Sequence, residues 1–262
     1  MKSASRRVAA LAAATVSLAA AVSLGVAGCS SSRPTTTTPT RSGSTTTPTS
    51  SRTPTSTTPT TEESAPAASV IVEKAKANAL AAKTGAFSGQ ITEQRESMKI
   101  SFKGTNDGST SDLSIDMGAK GKVRLLSVGG GVYMQADGTF WTSQGAPAQV
   151  QRAGQKFIKA PAAESALAKN FTINAFLQEA FAQLTPDQVS DQVEEATVDG
   201  ADCWVVTDKK GKQEGALYVS KAGYQLVRFT GSTDSPGQID FSSWNQDLGV
   251  TAPPPDQILN LG

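Results

Sequence analysis

Two cysteines and the complete lack of histidine limit the chemistry that this chain of 262 residues can perform. Cys29 follows small residues at the end of an apolar stretch, and Cys203 lies in an apolar, strand-like run. A thiol can act as a nucleophile, bind a metal or be modified covalently. Without histidine, Ser-His and Cys-His catalysis and histidine-ligated zinc are excluded. We interpret Cys203 as a small buried apolar residue, with a reactive thiol as the alternative. Cys29 is the cysteine whose neighbouring residues indicate a specific covalent modification.

The segment before Cys29 has the organisation of an export signal. Lys2, Arg6 and Arg7 supply positive charge, and the uncharged stretch 8–26 is rich in Ala, Val and Leu. Signal peptides combine a charged start, an apolar core and a cleavage site of small residues. A cysteine directly after the small residues resembles the lipobox of bacterial lipoproteins, which implies cleavage before Cys29 and diacylglycerol on its thiol. The alternatives are an ordinary secretory signal and a transmembrane anchor, because about 20 apolar residues span a bilayer.

The segment after Cys29 is a tract of Thr, Ser and Pro. Residues 30–61 have no apolar side chain to bury, so they cannot offset the entropy that is lost on ordering. Proline extends such a chain, which suits a spacer between a membrane and a domain. We therefore expect a lipoprotein signal peptide over 1–28, a lipidated cysteine and disordered stalk over 29–65, and one folded domain over 66–262.

The charge of the mature chain argues against nucleic acid as a partner. Three of the 24 basic residues lie within 1–28, which leaves 21 against 23 acidic residues. No basic patch remains that could follow a phosphate backbone.

The pattern of apolar residues in the predicted domain alternates between strands and helices. Apolar residues that recur every three or four positions predict a helix over 67–83, and the same recurrence predicts another helix over 176–184. Period-two alternation predicts antiparallel strands over 87–143 and again after residue 192.

Two dipeptides predict tight turns within these strand blocks. Asp137-Gly138 and Asp199-Gly200 each separate two β-prone runs, which is the pattern of a β-hairpin. Strand blocks around a helical insert are typical of an α+β fold, and a wide twisted sheet tends to curl. We expect a curved antiparallel sheet that forms an unclosed half-barrel, with helices packed in its concave face.

These features together resemble a known family of envelope proteins. They are the lipobox at Cys29, the Ala-rich first helix, the strand blocks, the helical insert over 157–184 and the closing strands over 218–245. The chain resembles the actinobacterial LppX/LprG-type lipoproteins, whose domain is similar to the LolA/LolB lipoprotein carriers. The resemblance covers roughly 67–259 and includes no catalytic signature. It implies a LolA-like half-barrel that holds a lipid or acylated glycolipid in an apolar cavity.

Apolar residues that share a strand or helix face are the candidates for the lining of such a cavity; the alternative for all of them is ordinary core packing. They are Met98, Phe102, Leu113, Ile115, Val123, Leu125, Met134, Phe176, Leu177, Phe181, Leu184, Val205 and Leu217.

Two functions are consistent with this sequence. The first is a lipoprotein, anchored through Cys29 at the extracytoplasmic face of the cell membrane, that binds or transfers a lipid or glycolipid. The second is a surface lipoprotein that docks a protein partner or serves as a structural module of the envelope. No enzyme, metal site or cofactor is predicted, because histidine, an S-x-x-K motif and a metal-ligand cluster are all missing from the sequence.

Overall fold

The computed structural model of the protein describes residues 65–93, 96–152, 154–160, 172–182, 184–185 and 187–259. The predicted signal peptide, the predicted lipidation site at Cys29 and the predicted stalk up to residue 64 lie outside these residues. The described residues all belong to the predicted domain, apart from residue 65.

Four helices and twelve strands make up this part of the chain. In chain order they are α1 (Ala68–Ala81), β1 (Thr84–Glu93), β2 (Glu96–Thr105), β3 (Ser111–Asp116), β4 (Lys122–Val128), β5 (Gly131–Ala136), α2 (Gly138–Ser143), α3 (Ala148–Gln151), β6 (Phe157–Lys159), α4 (Ile173–Ala182), β7 (Val189–Val198), β8 (Ala201–Asp208), β9 (Gly211–Ser220), β10 (Leu226–Ser232), β11 (Ser235–Ser242) and β12 (Ile258–Leu259). Short 3₁₀ turns occupy Gly118–Lys120 and Pro255–Gln257.

All the strands belong to one sheet in the order β12-β6-β5-β4-β3-β2-β1-β11-β10-β9-β8-β7. Neighbouring strands are antiparallel except β12, which runs parallel to β6. Strand β1 pairs with β2 on one side and β11 on the other, so it joins the two strand blocks. Because β7 and β12 remain the two edges, the expected α+β fold with a large, mostly antiparallel, unclosed sheet is confirmed.

The strand register explains why one face of the sheet is apolar. Phe241, Phe87, Phe102 and Leu113 lie side by side across four neighbouring strands, and all four are buried. Their chain neighbours point to the opposite face, where serine predominates in the central strands. The apolar face is the inner face of the sheet, because the helices pack on it.

Helices α1 and α4 cover different parts of the inner face. Helix α4 packs on β1 and β2, and its Ile173 and Leu177 are fully buried. Helix α1 packs on α4, β7, β8 and β10, where Ile71 and Ala75 are fully buried. The alanines let the helix come close to the sheet but bury little area. The Asn78 side-chain amide donates to the carbonyl of Gly223 at 2.7 Å, which ties α1 to the β9–β10 turn.

The hairpin predicted at Asp137-Gly138 is wrong. The Asp137 carboxylate accepts hydrogen bonds from the N–H of Phe140 at 2.8 Å and of Lys122 at 3.0 Å. Asp137 is therefore the N-cap of α2, since its side chain satisfies an amide that the helix start leaves free. The second dipeptide is a hairpin turn as predicted, with φ of 50° at Asp199 and 84° at Gly200.

Two other local predictions also need correction. Helix α1 ends at Ala81, earlier than expected, and β1 follows it from Thr84, so Gly85 lies within a strand. A Cβ at Gly85 would lie 2.5 Å from the Ile173 side chain, so this glycine allows α4 to approach the sheet. The start of the predicted helical insert, Phe157–Lys159, is instead strand β6.

Candidate functional site

The centre of the inner face is filled by aromatic side chains. Phe87 of β1 stacks on Phe176 of α4 with ring centroids 4.5 Å apart, and on Phe102 of β2 at 5.2 Å. Phe241 meets Phe229 edge-to-face at 5.4 Å. Such ring contacts stabilise the domain in addition to the stabilisation that comes from burying the rings. Helix α4 is thus fixed over the middle of the sheet by packing.

The inner face beside this centre remains partly accessible. Leu125 lies opposite Met134, and Met134 lies opposite Ile158, so the three form a continuous row across β4, β5 and β6. All three pack against the core but are only half-buried. The apolar row therefore keeps surface that water or a ligand can contact.

The second strand block has a similar half-buried border, on strands that α1 also contacts. Val193, Trp204 and Phe229 of β7, β8 and β10 pack against the core and are also half-buried. Apolar inner-face surface thus remains on both sides of α4. Apolar ligands bind to concave sites of this composition.

Twelve of the thirteen predicted lining residues come together on this face. Eight are buried in one cluster: Phe102, Leu113, Ile115, Val123, Phe176, Leu177, Phe181 and Leu217. Four others pack against that cluster and are half-buried: Met98, Leu125, Met134 and Leu184.

Val205 does not join them. Its chain neighbour Val206 pairs with Leu217 and belongs to the inner cluster, so Val205 points to the opposite face. It is nevertheless fully buried, as is Cys203 on the same side. Strand β8 is apolar on both faces, and alternation could not tell which face is inner.

Several inner-face residues were not predicted from the sequence. Ile158, Trp204 and Phe229 belong to the half-buried borders, and Phe140 and Trp141 of α2 are buried in the cluster. The Nε1 atom of Trp141 is buried and has no hydrogen-bond partner among the described residues. Residues 139–141 were expected to form a strand, so their helical position near β4 had no signal beyond the aromatic residue types.

The opposite, outer face carries a cleft of about 320 Å³ between β2 and β5, with charged side chains at its lining. Three cations line it, and two of them already have partners. Lys122 pairs with Asp116 at 2.9 Å, and Arg124 forms a two-point contact with Asp112 at 2.9 Å. The hydrogen bond from Lys122 lowers the pKa of Asp116. The third cation is Lys99, so most of the positive charge in this cleft is neutralised by the sheet itself.

The buried Cys203 has the properties of a packing residue. Burial raises the pKa of its thiol, and the nearby Asp202 carboxylate acts in the same direction. The thiol therefore stays protonated near neutral pH, whereas the thiolate is the nucleophile.

Among the described residues, no three His, Cys, Asp or Glu side chains lie close enough to hold a metal ion. No helix in that part of the chain has the length and apolarity to cross a membrane.

Comparisons with known proteins yield distant structural likenesses. No protein-family model matches the chain, and no curated protein does. LprF from Mycobacterium bovis is 12% identical with a TM-score of 0.45, over 71% of this chain and 96% of its own. An uncharacterized conserved protein from Thermus thermophilus is 11% identical to this chain with a TM-score of 0.35, and the match covers 73% of this chain and 98% of that protein. A LolA-superfamily protein from Nitrosomonas europaea is 13% identical to this chain with a TM-score of 0.23, and the match covers 70% of this chain and 96% of that protein. At these values the likenesses carry no argument about function.

Proposed function

We propose that this protein is a membrane-anchored envelope lipoprotein that binds the acyl chains of a lipid or glycolipid on its inner face. The observation that carries the proposal is the row of half-buried apolar side chains at Leu125, Met134 and Ile158, beside the packed centre. A soluble domain normally buries such a row or covers it.

The energy for such binding would come from removing acyl chains from water. Each buried CH₂ contributes about 0.8 kcal/mol, so ten methylenes contribute about 8 kcal/mol. Before the costs of association, about 8 kcal/mol corresponds to an affinity near the micromolar range. Those costs are about 4–15 kcal/mol, so tight binding requires that more methylenes than ten are buried. The protein would shield the chains without any chemical step.

The anchor and spacer form part of the same proposal. Diacylglycerol on Cys29 would hold the chain at the extracytoplasmic face of the cell membrane. Residues 29–65 would form the stalk, and residues 66–262 the LolA-like domain. The sequence of the export signal and the Thr/Ser/Pro composition of the stalk support this arrangement.

Native mass spectrometry of the full chain would test the proposal. The protein would be purified in a mild detergent from the membranes of an actinobacterial host that carries the lipidation enzymes. We expect an additional mass, beyond the covalent anchor, that is extracted by organic solvent. A single apo mass, with no uptake of added phospholipid or glycolipid, would contradict lipid binding.

The second candidate function is the docking or structural module. The packed aromatic centre favours it, because Phe87 contacts Phe102, Phe176 and Phe241 and leaves no room for an acyl chain between them. An apo mass together with a co-purifying protein would support this candidate over the carrier.

A further inference from the structure

A single row of apolar side chains runs across neighbouring strands on the inner face. It begins with the buried aromatic residues of β11, β1 and β2, passes Leu113 of β3 and continues through Leu125, Met134 and Ile158. The pairing of Ile158 in β6 with Leu259 in β12 extends this row by one strand. Residues that lie in register on neighbouring strands point to the same face, so Leu259 also belongs to the inner face.

Burial changes along this row where it leaves β3. Leu113 and the residues before it are buried, whereas Leu125, Met134, Ile158 and Leu259 are only half-buried. Helix α4 packs on β1 and β2, which explains why the first part of the row is covered. Strand β12 is an edge of the sheet. The half-buried part of the row therefore extends from Leu125 to the sheet edge at Leu259.

The half-buried part is narrow where it crosses β4 and β5. The residue pairs that flank Leu125 and Met134 on both sides are all buried, and they are Val123 with Ala136 and Ser127 with Val132. A stable interface with a partner protein takes about 800 Å² of surface on each side, which a strip one side chain wide does not offer. An extended alkyl chain is linear and about as wide as the strip, so this shape favours an alkyl chain as the occupant.

We propose that Leu259 completes the acyl-binding row, and that the row from Leu125 to Leu259 sets the length of acyl chain that the protein covers. This inference rests on the proposed function and specifies the ligand of that same surface. The row crosses β4, β5, β6 and β12, which are separated by three strand spacings, so it is about 14 Å long. An extended chain of about 12 carbons has this length, so a dodecanoyl chain matches the full row.

Leu259 determines how much of a longer chain is covered. The part of the row from Leu125 to Ile158 spans two strand spacings, or about 10 Å, and an octanoyl chain fits on it without Leu259. A dodecanoyl chain needs the whole row, so part of it contacts Leu259. Each further methylene that is removed from water raises the affinity by up to about fourfold. Chains that extend beyond the sheet edge gain no more contact with the row.

The test compares two lipids that differ only in chain length. The full chain would be held in phospholipid nanodiscs and titrated with 1-octanoylglycerol or with 1-dodecanoylglycerol. Leu259→Ser should weaken binding of the dodecanoyl lipid at least about tenfold and change the affinity for the octanoyl lipid by less than about twofold. Each lipid partitions into the nanodisc equally for both proteins, so the ratio of variant to wild-type affinity does not depend on partitioning.

Ile258→Ser is the matched control. Ile258 is the neighbour of Leu259 in β12 and is half-buried as well, but it pairs with Phe157, so its side chain points to the outer face. This variant should bind both lipids as wild type does. As a second readout, leucine methyl groups would be isotope-labelled and followed by NMR. The Leu259 methyl resonances, assigned by their loss in Leu259→Ser, should shift when the dodecanoyl lipid is added to wild-type protein.

The outcomes separate this inference from the function beneath it. A loss that is confined to the dodecanoyl lipid and to Leu259→Ser, together with the methyl shift, supports the inference. If Leu259→Ser weakens both lipids equally, has no effect, or matches Ile258→Ser, the inference is overturned while lipid binding stands. If wild type binds neither lipid, the proposed function fails and this inference fails with it.

Discussion

Phe176 of α4 stacks on Phe87 of β1 with ring centroids 4.5 Å apart and ring planes 20° from parallel. This contact places the helix over the centre of the sheet rather than over either border. Helix α4 packs on β1 and β2, so the half-buried row on β4–β6 lies beside it, whereas β7, β8 and β10 are contacted by α1. The same packing that stabilises the domain therefore leaves the apolar row on β4–β6 only partly covered.

Truncating Phe176 should strongly destabilise the domain. Phe176→Ala removes a nearly buried ring that touches Phe87 and Phe241, and such losses cost about 3–5 kcal/mol. Chemical denaturation measures the free energy of unfolding. Val70→Ala is the control, because Val70 is 39% exposed on α1 and its truncation should cost no more than about 0.5 kcal/mol. Equal effects of the two changes would show that α4 is not fastened by this stack.

A charge on the accessible inner row should weaken lipid binding. Met134→Asp places a carboxylate between Leu125 and Ile158, where an acyl chain would have to remove it from water. Titration with 1-palmitoylglycerol in nanodiscs should show a loss of affinity of at least about tenfold. Ser114→Asp adds the same charge to the outer face and should leave affinity unchanged. Equal losses in both variants would argue for a general effect of charge.

Asp137 should stabilise both α2 and the β4 start. Its carboxylate accepts from the N–H of Phe140 and of Lys122, and removing an N-cap costs about 0.5–2 kcal/mol. Asp137→Ala should therefore lower stability by about that amount, as measured by denaturant titration. Asp137→Ser keeps an oxygen that can cap the helix and should recover part of the loss. If Asp137→Ser is no more stable than Asp137→Ala, the hydrogen bond to the Lys122 N–H contributes most of the stability that Asp137 provides.

The Asp107 carboxyl should titrate far below its ordinary range. Hydrogen bonds from Thr105 and Ser109 lower its pKa from 3.8 to about 2. A pKa that is lower in the folded state stabilises the protein above pH 3.8, and this stabilisation is lost as the pH falls towards 2. The carboxyl resonance, followed by NMR, should have its midpoint near pH 2. Thr105→Val should raise that midpoint, and an unchanged midpoint would exclude the Thr105 hydroxyl as the main cause.

The α+β fold could be predicted because the apolar alternation is simple in the central strands. Phe87, Phe102, Leu113 and Ile115 alternate with polar residues and all face inward. The helical spacing of Phe176, Leu177 and Phe181 likewise placed them on one buried face. In these segments, local pattern and tertiary packing agree.

Other features depend on tertiary contacts that local pattern does not contain. Asp137-Gly138 matches a hairpin turn, but the backbone of Lys122 offers its N–H to Asp137 and favours the cap. Val205 and Val206 are equally apolar, so only the pairing of Val206 with Leu217 assigns the inner face.

Photo-crosslinking tests most directly whether the inner face binds acyl chains. A palmitoyl lipid with a diazirine in the acyl chain would be added to the full protein in nanodiscs, and the labelled residues would be identified by peptide mass spectrometry. Labelling should concentrate on Leu125, Met134 and Ile158, and excess unlabelled 1-palmitoylglycerol should suppress it. Labelling confined to outer-face residues such as Ser101 and Ser114, or labelling that competitor does not reduce, would contradict binding on the inner face.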